Sequence, residues 1–232
     1  HKEEAKVSLR RYLALAPGDR GTQHQLNALE GKTTERAPAE YVRDLFDNYA
    51  DTFESHLVEK LDYHMPQLIS DTLRHSIGDR QGLVVLDLGC GTGLMGEMMR
   101  DISGRLVGVD ISPKMVAKTL EKGFYQEAHA EDLLSYMRRN PAGSYDVVVA
   151  ADVFVYLGDL QTIFYESRRL LRRGGFYAFT VEATGPDDQS DFVLDSTGRY
   201  RHGARYLSLL HHVLHGGANA GQSRLLCGYG QR

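Results

Sequence analysis

Between residues 83 and 181 the chain alternates two hydrophobic patterns. Continuous apolar runs stand at Leu83-Val84-Val85-Leu86, Leu106-Val107-Gly108-Val109, Tyr145 to Ala151 and Phe176 to Val181. Between them lie stretches of helical period at Leu94 to Met99, Lys114 to Leu120, Leu133 to Met137 and Leu160 to Leu171, where Leu160, Phe164 and Leu171 share one face. A strand that is apolar at every position is covered on both faces, and strands alternating with helices build a parallel sheet with helices on both sides. The fold class is therefore α/β, a doubly wound, mainly parallel sheet whose ligands sit at the carboxyl ends of the strands.

The pattern differs on either side of this region. Ala5, Leu9, Leu13 and Ala16 recur at helical spacing until Pro17-Gly18-Asp19 stops the run, and a second helical stretch covers about Thr22 to Leu29. A polar linker, Gly31 to Ala37, then ends at Pro38. The pair of helices is similar to the closing units of a tetratricopeptide-type array, and an ordinary helical hairpin fits the same pattern. Further helices are predicted over 39–47, 53–62 and 65–76, and their side chains Tyr41, Leu45, Phe46, Tyr49, Phe53, Leu57 and Leu61 need a surface to cover. The predicted organisation is a helical extension at 1–37, a helical lid at 38–78 and a core at 79–232. At the far end, glycines at 216, 217, 221, 228 and 230 argue against two full strands, so the last edge of the sheet is expected to be truncated or replaced.

Composition narrows the function classes. The chain of 232 residues carries a formal net charge of −4, without the basic excess that phosphate-backbone binding requires, so no nucleic-acid partner is expected. No apolar run reaches the roughly 20 residues that cross a bilayer, and the start, His1-Lys2-Glu3-Glu4, has no signal-peptide stretch. A soluble, cytoplasmic protein without a membrane partner is expected. Cys90 and Cys227 stand far apart with no metal-ligand spacing, which suggests neither a disulfide framework nor a zinc site.

The candidate chemistry begins where the first strand ends, in Leu86-Asp87-Leu88-Gly89-Cys90-Gly91-Thr92-Gly93. Glycines there let a backbone reach positive φ and approach a ligand without a Cβ in the way, and Gly96 in the following helix permits close packing. The second strand ends at Asp110, where a carboxylate can accept from both hydroxyls of a ribose. A dinucleotide fingerprint would place its third glycine at 94, which is Leu94, and an acid at 87 would repel a pyrophosphate. Asp87 suits instead the ammonium and sulfonium charges of S-adenosylmethionine.

These residues resemble the motifs of class I S-adenosylmethionine-dependent methyltransferases, over about Val84 to Val181. Val85 to Gly93 is similar to the first motif. Val107-Gly108-Val109-Asp110-Ile111-Ser112-Pro113-Lys114-Met115 resembles the second, which implies Asp110 on the ribose with Ile111 and Met115 on the adenine faces. Ala130-Glu131-Asp132-Leu133 resembles the third, implying an acid on the adenine amine, and Tyr145 to Val153 the fourth strand, whose end at Ala151 lies beside the methyl donor. Leu171-Arg172-Arg173-Gly174-Gly175 is like the turn before strand five. Upstream, Phe46-Asp47-Asn48-Tyr49-Ala50-Asp51-Thr52-Phe53-Glu54 resembles the YDxxAxxYD lid segment of small-molecule methyltransferases, with phenylalanine at both tyrosine positions and glutamate at the last aspartate. With Phe53 to Val58 and Val153 to Leu160, the pattern is most like the bacterial tetratricopeptide-fused methyltransferases.

The cofactor set this implies is Asp87, Gly89, Cys90, Gly91, Asp110, Ile111, Met115, Glu131, Asp132, Leu133 and Ala151, holding S-adenosyl-L-methionine and releasing S-adenosyl-L-homocysteine. Substrate and lid candidates are Tyr49, Phe53, Tyr156, Tyr200 and His202, with His56 a further orienting candidate. Cys90 reads as a small side chain that fits its turn, Met95, Met98 and Met99 as core, and His211, His212 and His215 as a solvated helix face without a metal. The expected function is methyl transfer to a small or medium-sized acceptor by direct displacement, a reaction that needs a general base only when the nucleophile arrives protonated. The alternative is an inactive interaction module that retains a nucleotide fold, and in either case the N-terminal helices offer a surface to a protein partner.

Overall fold

The computed structural model describes residues 1–55, 64–215 and 224–230, the last seven and residues 212–215 by their backbone. His56, Leu57, Leu61 and most of the helix predicted over 53–62 lie outside the described residues, as do the side chains of His212, His215 and Cys227 and the glycines at 216, 217 and 221. A parallel sheet runs in the order β3-β2-β1-β4-β5-β8. Its strands are β1 (Leu83–Leu88), β2 (Ser103–Asp110), β3 (Glu127–Ala130), β4 (Tyr145–Ala150), β5 (Leu171–Glu182) and β8 (Arg224–Gly230). Helix α4 (Met65–Ile77) precedes β1, and α5 (Leu94–Met99), α6 (Pro113–Glu121), α7 (Leu133–Arg139), α8 (Gln161–Leu170) and α9 (Ala204–His215) lie in the connections between strands.

Alternating side chains place two apolar sets on the two faces of the sheet. Leu86, Leu88, Val107, Val109, Val148, Tyr177 and Phe179 face Tyr136, Met137, Phe164, Leu170, Tyr206 and Leu210 of α7, α8 and α9. Val85, Leu106, Val147, Val149, Phe176 and Ala178 face Ile69, Leu73 and Ile77 of α4 and Met95 and Met99 of α5. Helix α4 therefore belongs to the main core, and the covering role expected of residues 38–78 falls within the described residues to α3 (Ala39–Tyr49) and the turn that follows it.

Local chemistry fixes the helix starts at the ligand end of the sheet. Ser112 caps α6, accepting from the Met115 N–H at 3.1 Å, with Pro113 in the first turn. Asp132 caps α7 by accepting from the Ser135 N–H at 3.2 Å. Strand β5 opens earlier than the run at Phe176 predicts. Leu171 pairs with Tyr145 before a register shift, and the regular ladder resumes at Val147 with Phe176.

The last edge departs from an antiparallel hairpin. Strand β8 pairs parallel to β5 from Phe176–Arg224 to Glu182–Gly230, so a glycine-containing segment still supplies one edge strand. The described antiparallel hairpin lies elsewhere, in β6 (Phe192–Leu194) and β7 (Tyr200–His202), ahead of α9.

Helices α1 (Lys2–Leu15) and α2 (Arg20–Glu30) are joined to that hairpin. The His24 imidazole donates from Nε2 to the Gly198 carbonyl at 3.0 Å, the Leu194 N–H donates to Thr33 Oγ1 at 3.2 Å, and the Thr34 and Tyr200 hydroxyls bond each other. Helix α1 buries none of its residues, whereas α2 buries His24, Leu26 and Ala28.

The sequence places Gly96 for close packing, and its partner is a side chain from the loop before β3. A Cβ at Gly96 would lie 2.3 Å from the Tyr125 ring, which is itself buried. Gly96→Ala should cost about 1–3 kcal/mol by overpacking, less up to about 1 kcal/mol of gained helix propensity. Urea unfolding should show a lower midpoint than wild type, and an unchanged midpoint would mean that Tyr125 moves aside freely.

Candidate functional site

Strand β1 lies between β2 and β4, so the chain leaves it toward one side of the sheet and later returns to the other. A crevice opens at the carboxyl ends where the order reverses. The structure holds a cavity of about 510 Å³ there, lined by Gly89, Gly91, Asp110, Ile111, Asp132 and Leu133 on one side and by Ala151, Asp152, Val153, Tyr156, Leu157, Thr162 and Ile163 on the other. Its volume falls within the range of small-molecule sites. Val42, Leu45, Phe46, Tyr49 and Phe53 roof it, which explains why α3 is amphipathic yet buries no residue fully: its apolar face looks onto a cavity.

Asp110 organises the floor. Its Oδ2 accepts from the Gly91 N–H at 3.0 Å and its Oδ1 from the Ser112 N–H at 2.8 Å. Burial pushes the carboxyl up to about 6, against the pull of those N–H groups, and the charge of Asp47 adds to the rise. Gly89 and Gly91 sit at φ 69° and 53°, conformations that leave the loop backbone open to a ligand.

The roof is docked by side chains. Asp47 accepts from the Ser112 hydroxyl, Asp51 pairs with Lys118 at 3.2 Å, and Glu54 pairs with Lys122 at 2.6 Å. Phe53 meets Tyr49 edge to face at 5.3 Å, while Phe46 meets Tyr156 at 5.4 Å. A Cβ at Gly91 would lie 3.7 Å from the Phe53 ring, so that ring stands over the glycine loop. Phe46 and Phe53, which replace the tyrosines of the lid pattern, act here through their ring edges.

Of the residues singled out in the sequence, Gly89, Gly91, Asp110, Ile111, Asp132, Leu133, Ala151, Tyr49, Phe53 and Tyr156 line the cavity. The others do not. Asp87 is only 1% exposed and accepts from the Tyr125 hydroxyl at 2.6 Å, so it supports the loop from below rather than facing a ligand's positive charge. Cys90 is buried against Gly108 and Thr119, and burial pushes its thiol well up, which leaves it inert. Met115 is fully buried, and Glu131 is held by Arg139 at 2.8 Å. Tyr200 and His202 are fully buried behind the wall, not on it. His202 donates from Nε2 to the carbonyls of Leu157 and Gly158 at 2.9 and 3.1 Å, and burial lowers its pKa to about 4, so it holds this wall as a neutral ring.

Other lining residues carry little sequence signal. The linker Gly31–Ala37 forms a strap along the cavity: the Glu35 carbonyl accepts from the N–H groups of Gly158 and Asp159 at 2.8 and 2.9 Å, and Ala37 N–H donates to the Tyr156 carbonyl at 3.0 Å. Arg36 pairs with Asp132 at 2.8 Å, holding the acid expected to meet an adenine amine, and Arg199 pairs with Glu182 at 2.6 Å. Among the described residues no His, Cys, Asp or Glu cluster could hold a metal, and no helix is long and apolar enough to cross a membrane.

Comparison with known proteins agrees with this geometry. Residues 86–179 match the family model described as a methyltransferase domain. A ubiquinone biosynthesis O-methyltransferase of Sodalis glossinidius is 29% identical over 128 residues, 53% of this chain and 51% of that protein. The chain spans about half the length of such curated relatives, or less. The fold is that of magnesium protoporphyrin IX methyltransferase from Synechocystis, at a TM-score of 0.57 with 19% identity, covering 75% of this chain and 83% of that one. It is equally that of geranyl diphosphate C-methyltransferase from Streptomyces coelicolor, at 0.58 with 18% identity over 76% and 78% of the two chains.

The buried acids give the fold a pH signature. Burial raises Asp87 to about 7, opposed by the Tyr125 hydrogen bond and reinforced by the charge of Asp110. A carboxyl raised in the folded state binds its proton more tightly there than in the unfolded chain, so its contribution to stability falls as pH rises from about 4 to about 7. Urea midpoints at pH 5 and pH 8 should show a smaller decline for Asp87→Asn than for wild type. Equal declines in the two proteins would mean that Asp87 is ionised throughout.

Proposed function

We infer that this chain, whose residues 86–179 match a methyltransferase domain, is a class I S-adenosylmethionine-dependent methyltransferase acting on a small or medium-sized acceptor. The observation that carries the reading is one cavity with two ends: a glycine loop and the Asp110 carboxylate at the first, an apolar, roofed chamber at the second. The residues fit the donor, since Asp110 keeps unused lone pairs toward the cavity after accepting two N–H groups, and a Cβ-free loop lies beside it. When bound, S-adenosylmethionine supplies a methyl group on a sulfonium, already attached to a good leaving group.

The remaining chemistry belongs to the protein. Asp110 would hold the ribose hydroxyls, Ile111 and Leu133 the faces of the adenine, and Asp132 its amine once Arg36 shares that carboxylate. The roof of Phe46, Tyr49 and Phe53 excludes water and fixes the acceptor in line, which is where such displacements gain most of their rate. Val42, Leu45, Leu134, Tyr156 and Ile163 suit an acceptor with a hydrophobic body, in keeping with the geranyl diphosphate and protoporphyrin named for structural neighbours.

The finer reading places the chain with the tetratricopeptide-fused methyltransferases of the cytoplasm. It is supported by the α1–α2 pair and by Val7, Tyr12 and Leu15, which α1 leaves 45%, 50% and 89% exposed for a protein partner. We keep 1–37 as the helical extension, with residues 35–37 as the strap, and 79–232 as the donor-binding core.

Calorimetry should show one S-adenosylhomocysteine bound per chain, and Asp110→Ala should weaken it by about 1–3 kcal/mol, roughly 5- to 150-fold. Binding of NADH with none of S-adenosylhomocysteine would reverse the assignment. In hydrogen exchange, S-adenosylhomocysteine should raise protection across residues 39–55. Unchanged protection there would remove the roof from the mechanism.

A further inference from the structure

Among the described residues Asp152 is the only non-glycine at positive φ, at 54°. An L residue enters this region at a cost that aspartate tolerates better than most, and such positions cluster at functional sites. Asp152 stands just past the end of β4 and lines the cavity, half-buried. Its geometry is fixed by one neighbour. The Asp152 N–H donates to the Thr180 hydroxyl at 2.8 Å, and that hydroxyl donates to Asp152 Oδ1 at 3.1 Å. Thr180 is fully buried on β5 and holds both backbone and carboxylate from behind. Oδ2 has no partner among the described residues.

The position of this oxygen follows from the strand order. Strand β1 has β2, with Asp110 at its end, on one side and β4, with Asp152 just past its end, on the other. A ligand anchored by its ribose on Asp110 and laid across the glycine loop therefore ends over β4. Val153 marks the same junction, since a Cβ at Gly89 would lie 2.4 Å from its methyl group. The cations that line the cavity pair with other acids, Arg36 with Asp132 and Arg199 with Glu182. Asp159, which lines the same wall, already accepts from the Gln161 N–H and the Tyr206 hydroxyl, so a fixed carboxylate oxygen at Asp152 with no partner among the described residues calls for a proton donor.

We propose that Asp152 Oδ2 receives the acceptor's reacting O–H or N–H, which makes the acceptor a protic nucleophile, a hydroxyl or an amine. This rests on the methyl-transfer reading. As the new C–O or C–N bond forms, the C–S bond breaks with its electron pair left on sulfur. The acceptor's proton passes to Oδ2 and from there to water. The role is distinct from holding the amino-acid ammonium of the donor, and the two can be separated by binding alone.

The probe is sinefungin, an analogue in which a carbon bearing a primary ammonium replaces the methylated sulfur, so that an N–H stands where the methyl group meets the acceptor. Calorimetry compares it with S-adenosylhomocysteine and with methylthioadenosine, which lacks the amino-acid part. Wild type should bind sinefungin the more tightly of the first two, and Asp152→Asn should weaken sinefungin by about 10-fold or more while shifting S-adenosylhomocysteine by less than about 2-fold. Asp152→Gly, free to adopt φ 54°, should melt no lower than wild type and show the same selective loss. Equal weakening of sinefungin and S-adenosylhomocysteine, with methylthioadenosine unchanged, would assign the carboxylate to the amino-acid ammonium and overturn the proposal. No change with any probe would make Asp152 a turn residue only. Failure of wild type to bind S-adenosylhomocysteine and methylthioadenosine at all would instead remove the methyl-donor reading on which the proposal stands.

Discussion

The cavity depends on one buried carboxylate that ties two loops together. Asp110 closes β2 and accepts hydrogen bonds both from the loop after β1 and from the first turn toward α6. Ser112 extends the tie: its N–H goes to Asp110, its hydroxyl donates to Asp47 of α3, and the same oxygen accepts the capping N–H of Met115. Floor, helix cap and roof therefore share a single serine and a single acid. Charge-assisted bonds of this kind are stronger than neutral ones, which offsets part of the cost of holding a carboxylate away from water.

A second buried acid does structural work beneath the first. Asp87 holds the Tyr125 hydroxyl, and the Tyr125 ring fills space that Gly93, Gly96 and Gly108 leave by lacking a Cβ. Gly93 of the ligand loop, Gly96 of α5 and Gly108 of β2 thus form a socket for a tyrosine. The glycine pattern serves two partners, one inside the protein at Tyr125 and one across the cavity at Gly89 and Gly91.

How much was legible follows from where the information lies. Strands β1, β4 and the body of β5 announce themselves because burial on both faces demands an unbroken apolar run. Strand β3, Glu127-Ala128-His129-Ala130, is an edge with one neighbour, partly exposed, and has no such run. The hairpin β6–β7 has three residues per strand and is held by contacts from Thr33, Thr34 and His24, far away in sequence. At the site, the strand-end position of Asp110 is enough to aim it at the crevice, whereas the residue type of Asp87 names a charge without naming Tyr125, the buried partner that it meets. His202 and Tyr200 are ambiguous in the sequence for a related reason: polar rings near a site can meet a substrate or hold the wall, and here both are fully buried.

The strap at residues 35–37 carries a different kind of constraint. Its hold on the cavity wall is made by main-chain atoms, the Glu35 carbonyl and the Ala37 N–H, against the main chain of Tyr156, Gly158 and Asp159. Main-chain bonds are indifferent to which side chain stands at the exposed position 35, whereas Ala37 is buried against Ala28, Leu194 and Tyr200, and neither bond is indifferent to how many residues separate the strap from α2 and from Pro38. Divergence among relatives should therefore be free in identity at position 35, confined to small side chains at 37 and strict in length throughout, so that a single inserted or deleted residue disturbs the wall more than replacing Glu35.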